Sequence, residues 1–119
     1  MSYSSQDVYK KVLGKKGEQA VKKYLKKHKY KIIKSNYSTP FGEADIIAEK
    51  AGEIVFVEVK TRSSSAYGLP REAVREDKKR RYYQIARFYG LQTGEEPNAR
   101  FDVAEVYADG HIEYFENAF

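Results

Sequence analysis

Cysteine is absent from the 119 residues. That absence excludes a disulfide framework, a thiolate zinc site and a cysteine nucleophile together, and it agrees with a reducing compartment. Histidine is almost absent as well: His28 and His111 stand isolated, and neither suggests a role. No run of about 18 apolar residues occurs, so no segment reads as a membrane span. Met1 to Lys11 has no apolar core of signal-peptide length. A soluble, cytoplasmic protein is expected. Acid is scarce in one stretch, because from Lys10 to Lys34 eleven lysines accompany Glu18 alone, a local charge of +10 in a chain of net charge +5. Residues 71–87 add seven bases against three acids, whereas residues 88–119 carry seven acids against Arg100. Segregation of this kind makes a directional field whose usual partner is a polyanion. The plainer reading is a solvated lysine face.

What is present is enough for a core. Hydrophobic residues make up 41% of the chain and aromatic residues 14%, with 11 Tyr and 6 Phe, so an ordered globule is expected rather than a disordered chain. The length suits one domain spanning residues 1–119. Apolar or small residues at Val8, Val12, Leu13, Gly17, Ala20, Val21, Tyr24 and Leu25 predict a helix from Ser5 to His28 with a lysine-covered outer face. Tyr30–Tyr37 reads as a strand, Ser38–Gly42 as a turn and Glu43–Glu49 as a second strand. After a tight turn at Ala51–Gly52, Ile54–Thr61 is apolar on both faces and predicts a central strand. Arg62–Pro70 reads as a polar loop. A helix or helix pair follows, clearest from Asp77 to Tyr89, where Tyr82, Ile85, Ala86 and Tyr89 recur at helical spacing, and Gly90 and Gly94 are expected to end it. Arg100–Tyr107 and His111–Phe115 read as strands. The order is α-β-β-β-α-β-β, an α/β arrangement.

The hairpin carries the chemistry. With Ala51 and Gly52 as its loop, Lys50 faces Glu53, Ile47 faces Phe56, Asp45 faces Glu58 and Glu43 faces Lys60. Two carboxylates side by side in an apolar strand pair need compensation. A divalent cation is the simplest, since hard oxygen ligands suit Mg²⁺ or Mn²⁺, ions that keep waters for phosphate and nucleophile. Strand alternation places Lys60 on the face of Glu58, where an ammonium could orient water or stabilise charge on phosphorus. Alternatively, Lys60 bridges Glu43 or Glu58 in an ion-paired sheet. Glu18 falls at the edge of the helix's apolar face, so it can look toward the sheet as a third carboxylate or pair with Lys22 at i+4. Arg62, Arg75, Lys78, Lys79 and Arg81 could track a phosphate backbone, or simply be solvated. Tyr83 and Gln84 could stack on or position substrate, whereas Tyr82 reads as core.

Asp45, then Glu58-Val59-Lys60, with helical Glu18 upstream and this element order, resembles the PD-(D/E)XK nuclease superfamily, including archaeal Holliday junction resolvases. The match to the YraN-like family of small bacterial proteins is closer and covers essentially the whole chain. It rests on Gly17-Glu18-x-Ala20, Tyr24-Leu25, Asn36-Tyr37, Gly42-Glu43-x-Asp45-Ile46-Ile47, Val55 through Arg62, Gly68, Lys78, Arg100-Phe101-Asp102 and Asn117-Ala118-Phe119. Ala44 stands where the superfamily name has Pro. The resemblance implies a restriction-endonuclease-like α-β-β-β-α-β core with a central mixed sheet flanked by helices. It further implies Asp45, Glu58 and Glu18 as acids of a Mg²⁺ or Mn²⁺ site and Lys60 as the catalytic lysine. The expected function is a metal-dependent endonuclease hydrolysing DNA, on branched or repair intermediates. Since resolvases of this kind act as symmetric dimers, a homodimer is compatible with it. Two alternatives stand beside it: a nucleic-acid-binding module with a vestigial nuclease site, and an interaction protein whose basic face meets an acidic partner.

Overall fold

The computed structural model describes residues 5–62, 76–94 and 98–119, with side chains from Gly14 onward. Helix α1 (Ser5–Lys27) precedes strands β1 (Lys31–Thr39), β2 (Gly42–Lys50) and β3 (Glu53–Arg62). Helix α2 (Glu76–Thr93), β4 (Ala99–Tyr107) and β5 (Ile112–Phe115) follow. The five strands form one sheet in sequence order, antiparallel except for the parallel pair β3/β4. A parallel pair needs a crossover, and α2 supplies it.

The β2/β3 hairpin has the predicted register. Ala51 and Gly52 both take positive φ, +52° and +82°, the geometry whose twist matches that of paired strands. Lys50 therefore faces Glu53 and Ile47 faces Phe56. Alternation then sorts β3 into two layers. Val55 and Val57 meet Val21 and Leu25 of α1, while Phe56 meets Tyr82, Ile85 and Tyr89 of α2. Both faces of the mixed sheet are covered, as the endonuclease-like expectation required. Each fully buried Leu or Val here contributes about 1.5–3 kcal/mol.

Two boundaries differ from the sequence reading. The turn after β1 narrows to Pro40–Phe41, because the Thr39 hydroxyl closes it, accepting from the Phe41 N–H at 3.0 Å and donating to the Gly42 carbonyl at 2.8 Å. Gly90 does not end α2. It is buried within the helix, which runs on to Thr93 and stops at Gly94, whose φ is +77°; burial outweighs the roughly 1 kcal/mol that glycine costs a helix interior. The predicted loop beyond Arg62 and any helix before Glu76 lie outside the described residues. Among the described residues, no helix is long and apolar enough to cross a membrane.

The chain's end is tied down by a buried charge. Asp102 has no exposed surface. It accepts from Arg100 Nη2 at 2.8 Å, from the Tyr114 hydroxyl at 2.6 Å and from the Asn117 N–H at 3.0 Å. A buried carboxylate with this many donors is a satisfied one, so the Arg100-Phe101-Asp102 motif has a structural account away from the hairpin acids.

Candidate active site

The site forms where β2 loses its regular pairing. The β2/β3 ladder ends at Ile46–Val57, and the β1/β2 ladder pairs Ser35 with Ile46 and Tyr37 with Ala44, passing over Asn36 and Asp45. Asn36 takes φ +51°, a conformation asparagine tolerates better than most residues. Ala44 packs on the α2 side with Ile47, yet Ile46 and Ala48 pack on the α1 side. The in-out alternation slips by one residue at Asp45. Its carboxylate turns into the gap, and Oδ2 accepts the Val59 N–H at 2.8 Å. A small side chain at position 44, where the superfamily name has Pro, is what this slip buries in the core.

Asp45 is in an acidic neighbourhood. Burial pushes its carboxyl up to about 6, the Val59 N–H opposes the rise, and the charges of Glu18, Glu58 and Glu43 add to it. Glu18 comes from α1. The Asn36 carboxamide, oriented to satisfy its neighbours, donates to both Glu18 oxygens at 3.2 and 3.3 Å and to Glu43 Oε1 at 3.3 Å. Glu58 comes from β3. Its Oε1 accepts from Lys78 Nζ of α2 at 2.6 Å, and its Oε2 is buried with no hydrogen-bond partner among the described residues. Tyr82 of α2 lies near enough that burial first, and then the charges of Glu58 and Asp45, push its hydroxyl well above the ordinary tyrosine range.

Lys60 is half-buried on β3 and stands opposite Glu105 of β4 in the parallel ladder. Neither the expected Asp45–Glu58 facing nor the Glu43–Lys60 facing forms as a ladder pair, because the β2/β3 ladder stops first; Asp45 instead accepts the Val59 N–H, and Glu43 pairs with Ser38 of β1. Glu105 is 3% exposed, accepts from the Tyr107 hydroxyl at 3.0 Å and pairs with Arg62 Nε at 3.5 Å. Its other oxygen has no partner among the described residues. Sequence reading missed Glu105, whose one signal was an acid inside an apolar strand, and gave Asn36 no role. Of the proposed phosphate contacts, Arg62 pairs with Glu105 and Lys78 with Glu58. Arg81 is exposed and lies against the β1–β2 turn, so close that a Cβ on Gly42 would sit 2.8 Å from its Cδ. Lys79 is half-buried, and Arg75 lies outside the described residues. Tyr83 and Gln84 are exposed.

Among the described residues, no group of three or more His, Cys, Asp and Glu side chains is gathered as it would be around a metal ion. Asp45 and Glu58 nevertheless fit a cation chemically. One is a carboxyl whose ionisation is opposed by burial and acidic neighbours, the other presents a buried oxygen without a donor, and a positive ion relieves both.

The model of a family described as "Uncharacterised protein family UPF0102" matches residues 17–106. The chain belongs to UPF0102. A UPF0102 protein of Alkaliphilus metalliredigens is 46% identical over 112 residues, covering 92% of this chain and 98% of that one. Another, from Syntrophus aciditrophicus, is 52% identical over 95 residues, covering 78% and 74%. Membership agrees with the YraN-like resemblance read from the motifs. Among solved structures, the fold is similar to that of Archaeoglobus fulgidus Hjc, a Holliday junction resolvase, with a TM-score of 0.57 and 23% identity over 83% of this chain and 72% of that one. UPF0102 thus has, in this chain, the resolvase-like endonuclease fold.

Proposed function

We propose that this UPF0102 chain is a divalent-metal-dependent endonuclease that hydrolyses DNA phosphodiester bonds, on branched or repair intermediates. The observation that carries the reading is the proximity, at a break in the sheet, of a carboxyl pushed up to about 6 and a carboxylate whose buried Oε2 has no partner among the described residues. A buried acid perturbed as Asp45 is, with other acids beside it, is the kind of group that marks a candidate functional site. The resolvase-like fold supports the choice of DNA as substrate.

In this reading Asp45 and Glu58 hold Mg²⁺ or Mn²⁺, with Glu18 completing the acidic set from α1. Such an ion, when bound, supplies Lewis acidity toward phosphate and lowers the pKa of an attacking water. The chain's own residues do the rest. The Val59 N–H orients Asp45, the Asn36 amide holds Glu18 and Glu43 together, and Lys60 offers an ammonium to the charge that builds on phosphorus. Water's oxygen bonds to phosphorus as one P–O ester bond breaks, leaving a phosphate on one strand end and a hydroxyl on the other. Arg81, Lys79 and Arg75 supply backbone contacts.

The Lys78–Glu58 pair favours a second reading, a nucleic-acid-binding module whose nuclease site is vestigial. One experiment separates the two. Linear, single-stranded, flap and four-way DNA are incubated with Mg²⁺ or Mn²⁺ and with wild type, Asp45→Asn or Glu58→Gln. The first reading expects cleavage by wild type only, with DNA binding kept by both variants. Undiminished cleavage by both variants refutes it, and binding without cleavage by wild type selects the second.

A further inference from the structure

Lys78 was read as a phosphate contact or a solvated residue, yet its ammonium lies 2.6 Å from Glu58 Oε1 while Glu58 Oε2 is buried without a partner among the described residues. Its side chain is 24% exposed, so the same ammonium has a way out to solvent, whereas the Glu58 side chain is 16% exposed and has little. Glu58 sits on the central strand, fixed by pairing to β4 from Val57 through Val59 and to β2 at the neighbouring Val57. Lys78 belongs instead to the first turn of α2, on a long flexible stem. If one partner moves, it is the lysine. Arg81 and Lys79 lie one turn or less along the same helix, so an ammonium leaving Glu58 arrives among other cations, where a phosphate is the natural counter-charge.

We propose that Lys78 is an internal counter-cation that gates metal loading. It neutralises Glu58 in the empty site, competes with a divalent ion for the same oxygen, and transfers to a DNA phosphate when the ion binds. Ion and polyanion then load cooperatively, since each favours the state in which Lys78 has left Glu58, and such coupling is reciprocal. The inference rests on the metal-site reading of Asp45 and Glu58.

The test uses the full chain and Mn²⁺, with free Mn²⁺ read by electron paramagnetic resonance and no cleavage assay. Lys78→Met keeps the stem and removes the charge, so it should bind Mn²⁺ about tenfold more tightly than wild type, within the usual range of coupled sites. Lys78→Arg should stay near wild type. Short duplex DNA should tighten Mn²⁺ binding to wild type and change it little in Lys78→Met. Unchanged or weaker Mn²⁺ binding by Lys78→Met overturns the gate and makes Lys78 a positioning residue for Glu58. Should that variant not fold, wild type still decides: Mg²⁺ must shift the Lys78 Cε–Hε resonance, and a stationary signal overturns the proposal. Glu58→Gln serves as the control for the reading beneath. If it binds Mn²⁺ as wild type does, the metal site itself is wrong, and the gate falls with it.

Discussion

Asp45 shows how a residue on which the proposed chemistry depends is a liability for folding. Its carboxyl is raised from 3.8 to about 6 in the folded chain, burial being the largest cause. The sign follows from linkage: below about pH 4 both folded and unfolded forms are protonated and nothing is lost. As pH rises from about 4 to 6 the unfolded chain releases the proton while the folded one keeps it, so stability falls by about 2–3 kcal/mol over that window. Asn at this position can still accept the Val59 N–H but never ionises. Asp45→Asn should therefore be more stable than wild type by about 2 kcal/mol near pH 8, with the difference gone near pH 4. Urea denaturation at both values measures it, and equal stability near pH 8 would show that the carboxyl is not strained. Mg²⁺ should narrow the gap by stabilising wild type alone.

At the scale of elements, α1 must approach the sheet closely to deliver Glu18, and Gly17 makes that approach possible. A Cβ at Gly17 would lie 2.5 Å from Thr61 Cγ2, a stiff branched side chain on β3, and 3.7 Å from Val59 Cγ1. A Cβ at Gly14, one turn earlier, would meet nothing within 4 Å among the described residues. Gly14→Ala should stabilise by about 0.5–1 kcal/mol through helix propensity. Gly17→Ala should destabilise by about 1–3 kcal/mol, because the helix is pushed off the sheet. Calorimetry of the two variants makes the comparison, and a Gly17→Ala protein stabilised like its neighbour would remove the close contact. This level is also where sequence reading succeeded most. The five strands and two helices follow from periodicity, and the hairpin register follows from a two-residue turn. The break at Asp45 was not legible, because it depends on Asn36 adopting positive φ in a neighbouring strand, which no pattern within β2 reveals. The Lys78–Glu58 pair was hidden for a similar reason: it joins residues 20 apart across a crossover, and spacing carries no information at that range. Glu105 was passed over, because only the parallel ladder places it opposite Lys60 of β3.

For the whole molecule, sheet order converts charge segregation along the chain into segregation in space. β1 and β5 are opposite edges. Lys31 and Lys34 are exposed on the first, Glu113 on the second, and Lys15, Lys16, Lys23, Lys26 and Lys27 are exposed on α1. The acidic edge repels a polyanion and the basic side attracts it, so duplex DNA should arrive in one orientation, with α1 and its Glu18 leading. Each phosphate neutralised releases condensed counterions and adds about −0.9 to the slope of log affinity against log salt. Replacing Lys23, Lys26 and Lys27 together by Gln should thus lower DNA affinity at low salt and flatten that slope by about 2–3. Neutralising Glu113 and Glu116 should raise the association rate and leave the slope unchanged, since those acids repel DNA without touching it. Fluorescence anisotropy with a labelled duplex across a salt series reads both quantities. A slope unaffected by loss of the three lysines would mean that DNA does not use this face, and competition with an acidic protein partner for it would become the measurement to make.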